Sequence, residues 1–329
     1  MEIDFARQSL AIPVRETHDI GGARRHALQA GQAIGFDETT QGRIGIITTE
    51  LAGNLVKHAG GGHVILRRAG NGLEIMAIDD GPGMNVLRCL EDGYSTAGSP
   101  GTGLGAVKRL AETFEFFSMP DKGSVLVATI GPPPAPSAYE IGAVCLPVTG
   151  ETLCGDGWSV QETPDGLDVV VSDGIGHGPA AAAATDSVLE TFRIRSSLPP
   201  AERLETMHLA LRATRGAAVL TAHHAPEAGT ISCAGIGNVA AQILAGVKSR
   251  GLVSMNGILG HQVHKIKAFS YELEPSATVV YHTDGLTTHW SLEDFPGLAG
   301  RSASVIAGFL YKTFKRGKDD ATVVVVRRR

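Results

Sequence analysis

One predicted helix of this chain carries three residues whose types and spacing suit chemistry on a bound phosphate. Glu50, Asn54 and His58 recur every four residues and therefore share one helix face. A carboxylate, an amide and an imidazole in a row suit a Mg²⁺–phosphate group, because Mg²⁺ prefers oxygen ligands such as the Asn54 carbonyl. A solvated polar stripe on a helix fits the same residues, so the helix alone leaves both interpretations open.

Two glycine-rich segments follow this helix. Asp79 ends a predicted strand and precedes Gly81 and Gly83, so its carboxylate could accept a hydrogen bond from an adenine amino group, although a surface turn fits equally well. The second segment opens a predicted helix, where backbone amides and the helix dipole favour phosphate. It consists of Gly101, Thr102, Gly103, Leu104 and Gly105. A single loop of this kind is a weak sign, but the order of all three segments predicts a nucleotide site.

A second group of candidate residues consists of aspartates that lie beside apolar runs typical of β-strands. We expect each carboxylate to emerge at a sheet edge, where unpaired carboxylates cannot converge without cations because desolvation and repulsion are too costly. Hard divalent ions remove that cost, and two of them can share a water, lower its pKa and direct it at phosphorus. The candidates are Asp156, Asp173, Asp284, Asp319 and Asp320.

The composition predicts a cytoplasmic protein of two domains. The 329 residues exceed one average domain, and 29 basic against 34 acidic residues give a net charge of −5, which argues against a nucleic-acid partner. The sequence shows no signal peptide and no apolar run near the ~20 residues of a membrane span. We expect reduced thiols, because no metal-binding spacing connects Cys89, Cys145, Cys154 and Cys233.

A proline-rich linker, 132–138, separates the predicted domains 1–131 and 139–329, because clustered prolines interrupt helices and internal strands. In the first domain, an Asn71-Gly72 turn joins two predicted strands. Predicted helices cover residues 20–35, 39–59 and 106–112 of the first domain, and 179–195 and 200–216 of the second. The second domain is otherwise rich in β-runs, at 166–172, 229–234, 277–282 and 321–327.

The motifs of the first domain resemble the GHKL ATPase superfamily over about residues 10–130. The segments ELAGNLVKHAG, IDDGPGM and GTGLGAVKRL look most like those of bacterial anti-sigma-factor serine kinases. The resemblance implies Asn54 as a Mg²⁺ ligand, Asp79 as the adenine contact, and Glu50 as the general base for a substrate hydroxyl. It also implies a lid over ATP at residues 85–100. The implied nucleotide loops contain Gly81, Gly83, Gly101, Gly103 and Gly105.

The motifs of the second domain resemble the metal-dependent protein phosphatases (the PPM family), in the subgroup of sporulation stage II E-type phosphatases. SDGIGHGPAAAAAT and KDDATVVVV carry this resemblance, which covers about residues 139–328. It implies two Mn²⁺ or Mg²⁺ ions at one end of a β-sandwich flanked by helices. The implied ligands are Asp156, Asp173, Asp284, Asp319 and the backbone carbonyl of Gly174.

The same resemblance leaves two assignments open. Asp320 falls where related enzymes often have Asn, so the ligand is either Asp319 or Asp320. His177 is interpreted either as the proton donor to the leaving seryl oxygen or as a residue that orders its loop. Gly235 and Asn238 match a loop near the family's site.

These inferences predict an α+β protein with a GHKL (Bergerat) α/β sandwich followed by a PPM-type β-sandwich flanked by helices. The predicted function is bifunctional: an ATP-dependent Ser/Thr kinase and a metal-dependent phosphatase that act on a STAS-domain partner in sigma-factor or stress signalling. A sigma factor and a second copy of this chain are further candidate partners, and we expect no membrane partner. Two alternatives are a phosphatase whose first half only senses ATP, and a non-enzymatic partner-switching module.

Overall fold

The computed structural model describes residues 8–84, 103–132, 137–195, 197–246 and 248–329. Gly101, Thr102, Cys89 and the predicted lid at 85–100 lie outside these residues, as does most of the predicted linker. The chain forms two compact units. The first contains Met1–Pro136 and Ser291–Lys312, and the second contains Ser137–Trp290 and Thr313–Arg329.

The first unit is built on a five-stranded antiparallel sheet with two long helices on one face. The strands are β1 (Leu10–Val14), β2 (Gly62–Ala69), β3 (Gly72–Asp79), β4 (Thr113–Ser118) and β5 (Ser124–Ile130), in the order β1-β2-β3-β5-β4. The helices are α1 (Thr17–Ile34), α2 (Glu38–Ala59) and α3 (Gly103–Leu110). The three helices predicted in this domain are confirmed, and α3 begins three residues before its predicted start.

Local sequence explains why α2 forms and which face it buries. The Asp37 side chain caps its first turn by accepting a hydrogen bond from the Thr40 amide at 2.8 Å, and Gly60 ends it in the left-handed conformation with φ of 72°. Apolar residues at helical spacing, among them Ile44, Ile47 and Leu51, pack into the core against the sheet. The candidate residues Glu50, Asn54 and His58 are half-buried at the edge of this face.

The segment Ser291–Lys312 belongs to the first unit and contains most of the helix α6 (Ala303–Phe314). The compact units therefore divide the chain differently from the predicted domain 139–329 at this segment. Every residue of β3 is buried. The sheet face opposite α1 and α2 is therefore also covered, and residues of this segment pack on it. The helix backbone comes close to this face, because a Cβ at Gly308 would lie 2.4 Å from Met76 Sδ.

A buried ion pair joins the sheet to α6. Arg67 on β2 donates to both carboxylate oxygens of Glu74 on β3, at 3.0 and 2.9 Å, and the Ser304 hydroxyl donates to Glu74 Oε2 at 2.5 Å. Both charged side chains are almost fully buried. A buried ion pair needs hydrogen-bond partners for its remaining polar atoms. Because Ser304 supplies one of them, the pair fixes where α6 can pack.

The second unit contains two five-stranded antiparallel sheets. One has the order β13-β10-β9-β8-β7 and the other β12-β11-β14-β15-β6. The strands are β6 (Tyr139–Leu146), β7 (Asp156–Thr163), β8 (Gly166–Gly174), β9 (Ala217–Ala225), β10 (Thr230–Ile236), β11 (Ala240–Ala245), β12 (Lys248–Gly251), β13 (Phe269–Glu272), β14 (Thr278–His282) and β15 (Ala321–Arg328). The helices are α4 (Pro179–Arg195) and α5 (Pro200–Ala210).

Alternation along β8 shows how the layers of the second unit stack. Val169 and Val171 join the apolar core between the two sheets, whereas Val170 faces the opposite way and packs with residues of α4 and α5. The helix predicted at 200–216 ends earlier, at Ala210, and a short 3₁₀ turn, Leu211–Ala213, continues it. The chain then turns at Gly216, whose φ is +80°. The predicted fold class, α+β with a flanked β-sandwich, is confirmed.

The sequence predicts no membrane span and reduced cysteines, and the described residues bear on both points. Within them, no helix combines the length and apolar character that crossing a bilayer requires. Cys145, Cys154 and Cys233 are buried thiols.

We predict that Glu74→Ala destabilises the first unit by about 3–5 kcal/mol, because it leaves the Arg67 guanidinium buried without its carboxylate. Urea unfolding of the full chain measures this free energy. Glu227→Ala is the matched control, since its ion pair with Arg328 is exposed and is worth at most about 1 kcal/mol. Equal losses in the two variants would contradict a structural role for the buried pair.

Candidate functional site

Sheet register brings the candidate aspartates to one end of the second unit. Asp156 opens β7 and is directly paired with Asp173 near the end of β8. In the other sheet, β14 runs towards Asp284 while its partner β15 starts directly after Asp320, with His282 paired to Val323. Strand pairing thus places residues far apart in sequence beside one another.

The electrostatics show that these carboxylates influence one another strongly. Burial, followed by the charges of Asp284, Asp319 and Asp320, raises the pKa of Asp173 to about 8. Burial, and then Asp173, raises the pKa of Asp156 well above its ordinary value. A concentration of buried carboxylates with raised pKa values is the donor set that a hard divalent cation fits.

Asp156 and Asp284 are each held by a side-chain hydrogen-bond donor. Asp156 Oδ2 accepts from the Thr283 hydroxyl at 2.6 Å, and Asp284 Oδ2 accepts from Asn238 Nδ2 at 2.6 Å. Over the described ranges, no three Asp, Glu, His or Cys groups form a ready-made ion cage. Like charges repel, and Asp156 and Asp284 each direct one oxygen to a hydrogen-bond donor.

The neighbouring residues Asp319 and Asp320 have different surroundings. Asp320 is buried, and its two oxygens accept from the amides of Val148 at 2.7 Å and Gly155 at 2.6 Å. Asp319 is half-buried and accepts from the Asp320 amide at 2.9 Å through one oxygen. Asp320 therefore ties two loops together, whereas Asp319 uses only one oxygen in its bond to the Asp320 amide.

Small residues bring α4 against the strand ends. A Cβ at Gly174 would lie 2.3 Å from the Ala181 carbonyl oxygen, and one at Gly155 would lie 2.7 Å from Ala181 Cβ. On the next turn, the Thr185 hydroxyl donates to the Gly155 carbonyl at 2.6 Å. Sequence reasoning missed Thr185 and Thr283. The run of alanines at the start of α4 is the signal that indicates this close approach.

His177 lies in the loop that leads from β8 into α4. Its Nδ1 is 2.8 Å from Glu151 Oε1, and the imidazole is 58% exposed. Because an ionised carboxylate only accepts, Nδ1 carries the proton in this pair, and Nε2 is the atom that can exchange one. Glu151 was missed because it lies in a polar loop with no recognisable motif.

In the first unit, Glu50 and Asn54 border the start of α3. A Cβ at Gly103 would lie 2.6 Å from Glu50 Oε2, so the glycine lets the helix N-terminus approach the carboxylate. Asn54 Nδ2 is buried and makes no hydrogen bond in the described structure. A buried amide that lacks a partner fits a bound polar group. Gly105 is buried in α3, and Leu104 packs into the core. His58 is half-buried on α2, one turn after Asn54.

Asp79, at the end of β3, is a buried acid of this unit. Its Oδ1 accepts from the Gly81 amide at 2.9 Å, and burial raises its pKa. A Cβ at Gly81 would lie 2.8 Å from Ala59 Cα, and one at Gly83, where φ is +76°, would lie 2.4 Å from the Met119 carbonyl oxygen. Both glycines are therefore required for the tight path of the loop after β3.

We predict that the second unit becomes less stable as pH rises when no divalent cation is present. The unfolded Asp173 loses its proton near the ordinary value of 3.8, whereas the folded carboxyl keeps it to about 8, so stability is lost between these values. In the presence of a chelator, the melting temperature should decrease as the pH is raised from about 5 to about 8. Added Mg²⁺ or Mn²⁺ should make this decrease with pH smaller. Asp173→Asn should make the same decrease smaller in the absence of metal. A pH dependence of the melting temperature that neither the metal nor the substitution changes would contradict the clustering of the aspartates around Asp173.

Comparison with known proteins identifies both halves of the chain. Residues 163–329 match the family described as Stage II sporulation protein E (SpoIIE), and residues 13–130 match the histidine kinase-like ATPase domain. The chain is 36% identical over 115 residues to the serine/threonine-protein kinase RsbT of Bacillus subtilis (strain 168), which covers 33% of this chain and 86% of RsbT.

Among the solved structures that resemble the chain, two do so over a little more than half its length. A chain from the work titled "The bacterial stressosome: a modular system that has been adapted to control secondary messenger signaling" has a TM-score of 0.55 at 25% identity, over 58% of this chain and all of that one. RsbX in complex with magnesium has a TM-score of 0.52 at 20% identity, over 59% of this chain and 98% of RsbX, and shares the fold. Both predicted resemblances are confirmed: the chain belongs to the SpoIIE family, with a PPM-type phosphatase domain that follows an N-terminal GHKL-type, histidine kinase-like ATPase domain.

Proposed function

We propose that this chain both adds phosphate to and removes phosphate from Ser or Thr residues of a STAS-domain partner in sigma-factor or stress signalling. The observation that carries the phosphatase half is the group of mutually repelling carboxylates around Asp173. The similarity to the kinase RsbT and to a chain from stressosome work supports the kinase half and the class of partner. A sigma factor and a second copy of the chain are further proposed partners.

The proposed ligands of two Mg²⁺ or Mn²⁺ ions are Asp156, Asp173, Asp284, Asp319 and the Gly174 carbonyl. When bound, such ions neutralise the carboxylates and acidify a water for attack on phosphorus. Asp320 is assigned a positioning role, because two backbone amides already occupy its oxygens. The Thr283 hydroxyl orients the Asp156 carboxylate by donating to Oδ2.

His177 is proposed as the general acid of the phosphatase reaction. As the phosphorus–oxygen bond to the seryl group breaks, the leaving oxygen takes a proton from Nε2 of the imidazolium. The Glu151 carboxylate accepts from Nδ1 at 2.8 Å, which orients the ring and stabilises its positive charge. An exposed imidazole is accessible to a protein substrate.

In the proposed kinase reaction, Glu50 accepts the proton of the substrate hydroxyl while that oxygen bonds to the γ-phosphorus and ADP leaves. The Asn54 carbonyl oxygen is proposed to bind Mg²⁺ beside the phosphates, with His58 one turn further along. Asp79 is proposed to accept from the adenine amino group. The loop that includes Gly101, Thr102 and Gly103 is proposed to hold the phosphates through backbone amides.

The proposal is tested by following labelled phosphate on a STAS-domain protein after addition of γ-labelled ATP. We predict that the wild-type protein gives transient labelling and that Asp173→Asn gives label that accumulates, since removal stops. Glu50→Ala should lower transfer by about 10²-fold or more.

Asp165→Asn, at an exposed site in the β7–β8 turn, is the control and should behave as wild type. No transfer by either the wild-type protein or Asp173→Asn would refute the kinase half and favour an ATP sensor. Loss of label at the same rate in Asp173→Asn and wild type would refute the phosphatase half.

The two interpretations of His177 predict different substrate dependence for His177→Ala. A general acid matters for a seryl leaving group and little for p-nitrophenolate, which leaves without a proton. We therefore predict a fall of about 10²-fold in kcat on a phosphoserine protein and a small change on p-nitrophenyl phosphate. An equal loss on both substrates would assign His177 to loop ordering.

A further inference from the structure

The segment Ser291–Lys312 brings a buried cation to the loop that follows β3 in the first unit. Lys312 Nζ donates to Asp80 Oδ1 at 3.0 Å and to the Lys122 carbonyl at 2.5 Å. The Lys312 side chain is 5% exposed, whereas that of Asp80 is 84% exposed. A buried ammonium group needs such partners. Asp80 directly follows Asp79, and Lys122 lies two residues before Ser124, the strand partner of Asp79.

Lys312 also acts on Asp79 itself. Burial raises the pKa of the Asp79 carboxyl, and the Gly81 amide and the positive charge of Lys312 oppose that rise, while the neighbouring Asp80 adds to it. An ionised carboxylate only accepts hydrogen bonds, whereas a neutral carboxyl also donates. The cation therefore favours the form of Asp79 that complements an amino group.

The position of Lys312 is fixed by the packing of α6 on the sheet. The Ser304 hydroxyl donates to Glu74 on β3, the strand that ends at Asp79. Further along α6, the Phe309 ring stacks edge-on against Phe117 of β4 with centroids 5.1 Å apart, and Lys312 Nζ lies 5.3 Å from the centre of the Phe309 ring. These contacts hold the ammonium group at the end of β3.

We propose that Lys312 is a positioning residue of the nucleotide site, which holds the Asp79–Asp80 turn and keeps Asp79 an acceptor for the adenine amino group. This inference rests on the proposed function, in which ATP binds to the first unit. Its consequence is that base recognition by the N-terminal domain depends on a residue from the C-terminal part of the sequence, between the proposed ligands Asp284 and Asp319.

The test compares ATP and ITP binding to the full chain by calorimetry in the presence of Mg²⁺. ITP carries a carbonyl oxygen in place of the adenine amino group, so the group at this position accepts instead of donating to Asp79. We predict that Lys312→Met weakens ATP binding about tenfold and leaves ITP binding within about twofold. Lys312→Arg keeps the charge and should restore most of the ATP affinity.

Lys248→Met, on the exposed strand β12, is the matched control and should bind both nucleotides as wild type does. An unchanged preference for ATP over ITP in Lys312→Met would overturn the inference, and so would equal weakening of both nucleotides. Those outcomes leave the proposed function intact, because the wild-type protein still binds ATP. A wild-type protein that binds neither nucleotide would refute the ATP site itself.

Discussion

The repulsion among buried carboxylates at the end of the β-sandwich is the constraint on which the second unit depends. Asp156 and Asp173 are paired across adjacent strands, and burial raises the pKa of each. Such a group is tolerated because the surrounding backbone supplies donors and comes close, as at Gly155 and Gly174. The fold thus maintains a strongly unfavourable arrangement of charge, and a divalent cation is the species that would neutralise it.

The first unit solves a different problem, since its central sheet is buried on both faces. The helices α1 and α2 cover one face. The helix α6, which lies far from the sheet in the sequence, packs against the other face. The ion pair between Arg67 and Glu74 is closed by Ser304, so the packing is specific as well as apolar. Because α6 also carries Lys312 to the turn at Asp80, the same helix that completes the sheet contributes to the nucleotide loop.

The sequence predicted the parts of the site whose signals are local. An aspartate that ends an apolar β-run, as Asp173 and Asp284 do, is visible without a structure, and so is the four-residue spacing of Glu50 and Asn54. Hydroxyl groups such as Thr283 carry no such signal, because their role depends on which strand ends meet. The placement of α6 was not predicted either, since Ser304 and Arg67 are 237 residues apart and their contact depends on tertiary packing alone.

The central claim is that the aspartates at the end of the sandwich bind divalent cations. Anomalous diffraction from crystals of the full chain soaked in Mn²⁺ tests it most directly. The account predicts two peaks about 3.5–4 Å apart, bordered by Asp156, Asp173, Asp284 and Asp319. A well-ordered site with no anomalous peak among these four carboxylates would contradict it.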